Sequence, residues 1–269
     1  MERISTGYKE LDALLKGGLE RKSLTLLAGR VSLGKTTFAL NLASNVALGA
    51  ASEPVLYFSN EDCRHSLTEK LISAATMVSL LDVMQAAYTG DKRLLLSAAR
   101  LAKSELFIAD GSWIPRQMTC IEGVCKGEII PGAWGKTKRA VPGLIIVDHV
   151  LGVQDNRWAS PPKFRSSRSH SRSVLAGLKA LAEELNAAIV AIVPLRRTPG
   201  TLGRPQPEEL KRIFGEETVS NRQLFLHGER TPAAHVMELF AAGSQGKTML
   251  TYEPACALFS DSERPVSIS

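Results

Sequence analysis

Residues 23–43 read Ser-Leu-Thr-Leu-Leu-Ala-Gly-Arg-Val-Ser-Leu-Gly-Lys-Thr-Thr-Phe-Ala-Leu-Asn-Leu-Ala. The apolar run at the start predicts a strand, the pattern Gly29-x-x-x-x-Gly34-Lys35-Thr36 follows it, and helix-forming residues come next. In such a loop the backbone N–H groups turn inward toward phosphate oxygens, and the positive end of the helix dipole adds attraction. The stretch therefore predicts a phosphate-binding loop between a strand and a helix.

The individual residues of this loop indicate which ligand it holds. Lys35 is expected to reach the β- and γ-phosphates, and the Thr36 hydroxyl is expected to ligate Mg²⁺. We therefore predict ATP and Mg²⁺ as cofactors. The alternative is a chance glycine-rich turn, which explains neither the strand before the motif nor the helix after it. The residues predicted to line the nucleotide are Gly29, Ser32, Gly34, Lys35, Thr36 and Thr37.

Hydrolysis also requires a carboxylate near the metal and another that orients or deprotonates the attacking water. Asp148 ends the apolar run Leu-Ile-Ile-Val and would emerge at the carboxyl edge of a sheet, where ligands of open α/β sheets bind. We predict that it holds Mg²⁺ together with Thr36. Glu61 closely follows the second apolar run and is our candidate for the catalytic base. Its neighbour Asp62 is an alternative, and each of these acids could instead be a solvated loop residue.

Apolar runs rich in β-branched residues alternate with segments of helical periodicity along the chain. This alternation is typical of a parallel sheet flanked by helices, so we predict one α/β domain over residues 1–269, with a weaker, antiparallel set of strands near its end. The predicted strands cover 23–28, 54–59, 105–109, 143–148 and 187–193, then 223–227, 236–241, 248–252 and 257–259. The predicted helices cover 35–48, 66–77, 92–103 and 171–186.

Net charge, hydrophobicity and cysteine content limit the kinds of partner and site that the chain can have. The chain has 269 residues, 44% of them hydrophobic, and a net charge of +6, which is compatible with a polyanionic partner. No apolar run approaches the length that spans a bilayer, and the first residues lack the hydrophobic stretch of a signal peptide, so we expect a cytoplasmic protein without a membrane partner. Four scattered cysteines, at 63, 120, 125 and 256, indicate neither a disulfide framework nor a zinc site.

Two basic segments interrupt the alternation of strands and helices. Residues 155–173 read DNRWASPPKFRSSRSHSRS, and residues 196–207 read RRTPGTLGRPQP. Their content of Pro, Gly, Ser and Arg predicts long loops, and long loops in compact α/β domains are usually functional or disordered. Basic side chains neutralise phosphates and aromatic rings stack on bases, so 155–173 and 196–212 are candidate DNA-binding loops. A pair of solvated basic loops is the alternative.

Several stretches resemble the RecA-like motor domain of DnaB-type replicative helicases. ISTGYKELD at 4–12, followed by Gly-Gly-Leu at 17–19, is similar to the first segment of that family, although RecA, RadA and KaiC relatives share the pattern. SLGKTTFALN at 32–41 and VLYFSNE at 55–61 are similar to its phosphate loop and to the segment that carries its catalytic glutamate. Residues 144–148 and the helix at 173–186 also match, and together these stretches favour the DnaB type.

The resemblance implies a RecA-like ATPase that forms a hexameric ring, with nucleotide between neighbouring subunits. It also implies single-stranded DNA in the central channel, held by two loops from each subunit, and work alongside other replication proteins. Both basic segments fall where the family has its DNA loops. The residues that would contact DNA are Arg157, Lys163, Arg165, Arg168, Arg172, Arg196, Arg197 and Arg204, with Trp158 and Phe164 interleaved and Lys211 and Arg212 following.

The chain departs from the family pattern in places that concern movement on DNA. Met1 falls just before the motor domain, so we expect the family's N-terminal domain and linker helix to be missing, which puts the ring in doubt. The family places a glutamine that senses the γ-phosphate at the end of strand 187–193, where this chain has Pro194. Proline has no side-chain hydrogen-bonding group, so we expect this link to be lost. The family's acidic cluster is only partly kept, at 216–222.

A further departure concerns residues that act across subunits. The family supplies a lysine and an arginine to the neighbour's γ-phosphate from a loop between two late strands, and here that loop is shortened to 242–247. Lys247 remains, and Arg230 is the nearest basic substitute for the arginine. Because a trans arginine is typically worth about 10³ to 10⁵ in turnover, its loss predicts slow hydrolysis.

Three functions remain open from the sequence. The leading one is a DnaB-like, ATP-dependent helicase that acts on single-stranded DNA in replication. The second is a RecA-fold regulator or helicase loader that binds ATP and a partner but unwinds little or no DNA, which the missing elements favour. The third is a RadA- or KaiC-like ATPase, disfavoured by the residues around Lys35 and by the helix at 173–186.

Overall fold

The strand before the phosphate loop lies near the centre of a large sheet. The computed structural model describes residues 2–85, 91–112, 114–128, 141–156, 167–196, 203–216, 219–229, 232–244 and 246–262. Its strands are β1 (Arg3–Ile4), β2 (Leu19–Glu20), β3 (Ser23–Arg30), β4 (Val55–Ser59), β5 (Leu106–Asp110), β6 (Leu144–Asp148), β7 (Ala188–Leu195), β8 (Arg222–His227), β9 (His235–Ala241), β10 (Lys247–Glu253) and β11 (Leu258–Asp261). Its helices are α1 (Lys9–Leu14), α2 (Lys35–Leu48), α3 (Arg64–Thr76), α4 (Leu80–Gln85), α5 (Lys92–Lys103), α6 (Met118–Cys125), α7 (Ser167–Leu185) and α8 (Pro207–Phe214).

Nine of the described strands form one mixed sheet in the order β11-β10-β9-β8-β3-β7-β6-β4-β5. From β8 to β5 each neighbouring pair is parallel. Strands β9, β10 and β11 extend the sheet in the antiparallel sense. The predicted architecture is therefore present, with one correction: the prediction places β8 in the antiparallel set, yet it runs parallel to β3 and is antiparallel only to β9.

Burial explains why the sequence pattern locates these strands. All residues of β3, β4 and β6 are buried, so each strand is covered on both of its faces. Strands of this kind carry continuous apolar runs instead of an alternation of apolar and polar residues. The short pair β1 and β2 forms a separate antiparallel ribbon beside the main sheet.

Each face of the sheet has its own apolar core. On one face α2 and α3 bury residues such as Phe38 and Leu67. On the other face α6, α7 and α8 bury residues such as Met118, Leu178 and Phe214. The helices therefore form the two outer layers of a three-layer α/β domain, and they leave the carboxyl edge of the parallel strands for the functional groups.

The prediction of a loop for the second basic segment is wrong over its last residues. Residues 207–214 form α8, whose first turn carries a capping box between Gln206 and Glu209 and has Pro207 at its start. Proline is favoured at the first position of a helix because its missing N–H has no intrahelical acceptor there. A run of Pro and polar residues thus marks a helix start here instead of a loop.

The first basic segment is also partly helical. Helix α7 begins at Ser167, four residues before the predicted start, so Arg168 and Arg172 lie on a helix instead of in a loop. Helices α1, α4, α6 and α8 are absent from the prediction, because they are only six to eight residues long and carry too few turns to show a clear period. Across the part of the chain that the structure describes, no helix has the length and apolarity to span a membrane.

Candidate nucleotide site

The phosphate loop joins the end of β3 to the start of α2. Ser32 and Gly34 have positive φ values of 66° and 82°, which lets the chain curl between the strand and the helix. A Cβ atom at Gly34 would also lie 3.3 Å from the rings of Phe259 and Tyr252. A Cβ at Gly29 would lie 2.8 Å from the carbonyl oxygen of Leu226. The two glycines of the motif are therefore required by close packing against β8, β10 and β11.

Lys35 begins α2 and is almost wholly buried, with 7% of its surface exposed. Burial lowers the pKa of its amine to about 8, and the charges of Asp148 and Glu61 act in the opposite direction. The amine Nζ donates a hydrogen bond of 2.7 Å to the carbonyl oxygen of Arg30. A buried ammonium group inside the curl of a phosphate loop is placed to bind an anion.

Asp148 lies at the end of β6, directly across the site from Thr36. Burial raises the pKa of Asp148, while hydrogen bonds from the side chains of Thr36 and Tyr57 act to lower it. The Tyr57 hydroxyl donates to Oδ2 of Asp148 at 2.8 Å. The structure thus brings together the hydroxyl and the carboxylate that were predicted to share Mg²⁺, and both are oxygen ligands of the kind that Mg²⁺ prefers. The donor set fits the metal.

Glu61 follows β4 and has an exposed side chain, 65% of which is accessible. Its Oε1 lies 3.0 Å from Nε2 of His149, the residue after Asp148. Its charge is close enough to affect the pKa of both Lys35 and Asp148. The carboxylate is therefore open to solvent at the same edge as Lys35 and Asp148.

The alternative carboxylate, Asp62, is engaged elsewhere. Its Oδ2 forms an ion pair with Lys70 on α3, and its backbone oxygen accepts a hydrogen bond from Ser59. A carboxylate held by a lysine of the neighbouring helix is a weaker candidate for a base than one that faces the site. The geometry therefore favours Glu61 over Asp62.

Tyr57 and His149 are site residues that the sequence prediction lacks. Tyr57 offers a signal in retrospect, because a tyrosine in an otherwise apolar buried strand needs a partner for its hydroxyl. Burial and the Asp148 charge raise the pKa of Tyr57, so its hydroxyl remains a donor. His149 gives no such signal, since its contact with Glu61 joins two loops whose approach depends on the pairing of β4 with β6.

The predicted DNA-contacting residues have several different environments. Arg168 lies on α7 and donates from Nε to the backbone oxygen of Arg212 at 3.2 Å. Arg196 is exposed at the end of β7. Together with Arg212 they line a cavity of about 790 Å³ beside Pro194. Three guanidinium groups around one cavity are suited to an anionic ligand.

Arg204 contributes to packing instead. Its guanidinium pairs with Glu238 at 2.8 Å and lies 3.6 Å above the centre of the Phe240 ring. Lys247, the predicted trans-acting lysine, begins β10 and lies 3.6 Å from the same carboxylate. Other predicted residues lie outside the described part of the chain, namely Arg157, Lys163, Arg165, Arg197 and Arg230.

Known proteins share this fold and these segments. The family model of the DnaB-like helicase C terminal domain matches residues 3–213. A solved DnaB-like replicative helicase, described with its interactions with primase, superposes with a TM-score of 0.80 at 20% identity, covering 97% of this chain and 62% of that one. A second solved structure, an ATPase domain, superposes with a TM-score of 0.79 at 21% identity, covering 97% of this chain and 92% of that one. These structures confirm the predicted RecA-like fold class.

Curated relatives include replicative helicases of bacteria. Replicative DNA helicase DnaB of Synechocystis is 28% identical in an alignment of 232 positions that covers 81% of this chain and 24% of that protein. DnaB of Geobacillus stearothermophilus is 28% identical over 72% of this chain and 40% of its own length, and DnaB of Haemophilus influenzae is 29% identical over 83% and 46%. The chain thus spans less than half of each of these relatives. The resemblance drawn from the motifs is confirmed, and the chain belongs to the DnaB-like helicase C-terminal domain family.

Proposed function

We propose that this chain is an ATP hydrolase of the DnaB helicase type, a single RecA-like domain that binds ATP with Mg²⁺ and engages single-stranded DNA during replication. The observation that carries the proposal is the convergence of Lys35, Thr36 and Asp148 at one edge of the sheet, where Lys35 and Asp148 are buried and the side chain of Thr36 is close enough to Asp148 to lower its pKa. The separation of Asp148 from the other two along the sequence makes a chance meeting a poor explanation.

Each residue has a role that follows from its chemistry. Lys35 would exchange its bond to the Arg30 carbonyl for a charged phosphate oxygen, a stronger acceptor. Thr36 and Asp148 would hold Mg²⁺, which when bound neutralises charge on the phosphate oxygens. Backbone N–H groups between Gly29 and Thr37, including that of Ser32, would complete the cradle.

Glu61 would take the proton of the attacking water or orient that water. A general base must come within hydrogen-bond reach of the proton it accepts, and an exposed glutamate on a loop can do so. The 3.0 Å contact with His149 would hold the carboxylate in position until the water is bound.

For DNA, the support is the cavity lined by Arg168, Arg196 and Arg212. Cationic side chains neutralise backbone phosphates without regard to base sequence, as a motor on single strands requires. Arg172 on α7 and the basic residues outside the described ranges, Arg157, Lys163, Arg165 and Arg197, are proposed to extend this surface. Arg204 is reassigned to packing against Phe240.

We further propose that copies of the chain assemble so that nucleotide lies between neighbours, with Lys247 or Arg230 reaching the neighbour's phosphate. The names of the relatives, which are replicative helicases, and the solved relative described with its interactions with primase support other replication proteins as partners. They also support a cytoplasmic location. Measuring mass in solution with and without ATP and Mg²⁺ separates a ring from a solitary domain.

The test of the main proposal is steady-state ATP hydrolysis by the whole chain with and without a single-stranded oligonucleotide. We expect measurable turnover that rises severalfold with DNA, together with unwinding of a forked duplex. If the rate of ATP hydrolysis does not change with DNA, and the protein is not retained on single-stranded DNA at moderate salt, the DNA part of the proposal is overturned.

One observation favours a second candidate, a non-motor ATP-binding regulator or helicase loader. Pro194 is in register with Gly29, at the edge where the phosphate loop lies beside the start of the second basic segment. The side chain of Pro194 can neither donate nor accept a hydrogen bond. ATP binding with a monomeric mass and no unwinding would point to this candidate.

A further inference from the structure

Arg30 is the last residue of β3 and the second residue of the phosphate-loop motif. Its strand position is in register with Leu195, so it lies beside the end of β7. Only 6% of the residue is exposed. A buried guanidinium is costly unless charged or polar partners surround it, so its partners reveal what it connects.

The guanidinium of Arg30 contacts both flanks of the second basic segment. Nη1 donates to the backbone oxygen of Arg196 at 3.1 Å, where the segment begins. Nη1 and Nη2 bind the two carboxylate oxygens of Glu209, with Nη2 to Oε1 at 3.0 Å. The same Oε1 accepts the backbone N–H of Gln206 at 3.1 Å, so Glu209 also caps α8. Arg30 thus binds the entry of the segment and the helix at its exit.

The backbone of Arg30 faces the opposite way. Its carbonyl oxygen accepts the hydrogen bond from Lys35 Nζ, the amine that would bind phosphate. A phosphate oxygen carries charge and competes for this amine more strongly than a neutral carbonyl does. When the amine leaves, the peptide group after Arg30 loses a donor and can rotate, which changes the backbone at the residue whose side chain binds Glu209.

The neighbouring position lacks a polar group for this task. Pro194 is in register with Gly29, one residue before Arg30 along β3. Neither side chain can form a hydrogen bond across the two strands at that position. Arg30 supplies a two-pronged ionic link one residue further along, where the geometry of a guanidinium and a carboxylate is fixed in distance and orientation.

We propose that the Arg30–Glu209 pair couples nucleotide at the phosphate loop to the position of α8. Through α8 it would couple nucleotide to the cavity of Arg168, Arg196 and Arg212, because α8 carries Arg212. Arg30 and Glu209 are positioning residues in this scheme, since neither touches the reacting phosphate. The inference rests on the proposed binding of ATP at Lys35, and its link to α8 is independent of DNA.

The test is hydrogen exchange of the whole chain with and without ATP and Mg²⁺, read on peptides from α8. In the wild type we expect nucleotide to change the exchange of residues 206–214. In Glu209→Gln, which keeps the shape but removes the charge, the change should fall at least about fivefold, the lower end of the usual range of allosteric coupling. The Kd for ATP should stay within about threefold of the wild-type value. Arg30→Lys, which keeps the charge but not the fork, should show the same loss.

The matched control is Glu53→Gln. It removes the charge of one partner of Arg21, in a partly buried ion pair at 2.5 Å that lies at the other end of β3 and away from the phosphate loop. This variant should respond to nucleotide as the wild type does. Nucleotide binding without any response in α8, or a full response in both Glu209→Gln and Arg30→Lys, overturns the coupling.

A second arm separates this inference from the proposed function. The Kd for a single-stranded oligonucleotide is measured with and without a non-hydrolysable ATP analogue, and we expect the ratio of the two values to approach one in both variants. Failure of the wild type to bind ATP overturns the proposed function and the coupling together. A response in α8 without DNA binding leaves the coupling standing and removes DNA as the ligand.

Discussion

The phosphate-binding edge of the sheet and the basic segment after β7 hold their charges in opposite ways. At the edge, Lys35 and Asp148 are buried: Lys35 begins α2, and Asp148 ends β6, which is in register with β4. In the segment, Arg196 and Arg212 are exposed, and the backbone oxygen of Arg212 accepts a hydrogen bond from Arg168 of α7. A buried charge depends on the fold for its position, whereas an exposed charge acts mainly through attraction at a distance.

The contrast between buried and exposed charges shows why a motif predicts function more reliably than basic composition does. A motif whose residues must converge on one ligand is constrained by geometry, so the spacing of the phosphate loop and the place of Asp148 at a strand end predict their roles. Basic composition carries no such constraint, and Arg204 illustrates the risk, because its charge pairs with Glu238 and covers Phe240. Substitutions at the edge should therefore change chemistry, and those in the segment should change affinity.

The largest effect is expected from Lys35→Ala. Loss of the ammonium group should lower turnover at least about 10²–10³-fold, the size seen when one donor to a charged oxygen is removed. The free energy of unfolding should not fall, because burial of this charge opposes folding, as the lowered pKa shows. Hydrolysis assays and urea unfolding measure the two quantities, and the exposed Lys92→Ala is the control. A turnover like that of the control would contradict the role of Lys35.

The next largest effect is expected at Glu61, and it is compared with that of its neighbour Asp62. Glu61→Gln should reduce turnover by about 10²–10⁴-fold, the usual contribution of a general base, while ATP still binds. Asp62→Asn should reduce turnover far less, because Asp62 is paired with Lys70 on α3. Single-turnover hydrolysis and equilibrium binding distinguish the two steps. If Asp62→Asn proves the more damaging change, the assignment of the base must be exchanged.

A smaller effect separates two arginines of the basic segment. Arg212→Ala should weaken binding of single-stranded DNA and lower the salt slope of log Kd by about 0.7, the value for one phosphate contact. Arg204→Ala should leave DNA affinity unchanged and lower the free energy of unfolding by about 0.5–1 kcal/mol, through loss of the contact with the Phe240 ring. Fluorescence anisotropy at several salt concentrations and urea unfolding test both. Equal DNA defects would return Arg204 to the DNA surface.

The smallest effect concerns a second aspartate at the same edge. Asp110 and Asp148 are both in register with Ser59, on opposite sides of β4. Burial acts to raise the pKa of Asp110, but hydrogen bonds from Ser112 and from the backbone N–H of Arg64 outweigh it, and the net pKa is lowered. Because the pKa of Asp110 is lower in the folded protein, its ionised carboxylate stabilises the fold at pH values above the unfolded pKa of about 3.9. The stabilisation is lost as the pH falls through the folded pKa.

Asp110→Asn should accordingly lower the free energy of unfolding by about 0.3–1 kcal/mol at pH 7, the usual worth of a charge at a helix N-terminus. The difference from wild type should shrink as the pH falls below about 4, where the unfolded carboxyl is protonated. Urea unfolding at neutral, mildly acidic and strongly acidic pH checks this. A constant difference across that range would show that the charge of Asp110 does not contribute.

Most strands, the phosphate loop and the position of Asp148 at the end of a strand could be predicted because their signals are local. A buried strand is a continuous apolar run, and the loop motif lies within eight residues. The contacts that tune the site could not be predicted, because Tyr57 meets Asp148 across 91 residues and Arg30 meets Glu209 across 179. Such pairs depend on strand order. The direction of β8 and the short helices α6 and α8 escape prediction for the related reason that they have few residues and take their stability from packing.

The central position of β3 in the sheet also determines when this strand can pair during synthesis of the chain. Both strands that flank β3 are made late, since β7 begins at Ala188 and β8 at Arg222. At a synthesis rate of about 5–20 residues per second, β7 and β8 are completed on the order of ten seconds or more after β3. During that interval an apolar strand with two unpaired edges is exposed, which invites chaperones or aggregation. The phosphate loop is encoded early but takes shape among the last parts of the domain.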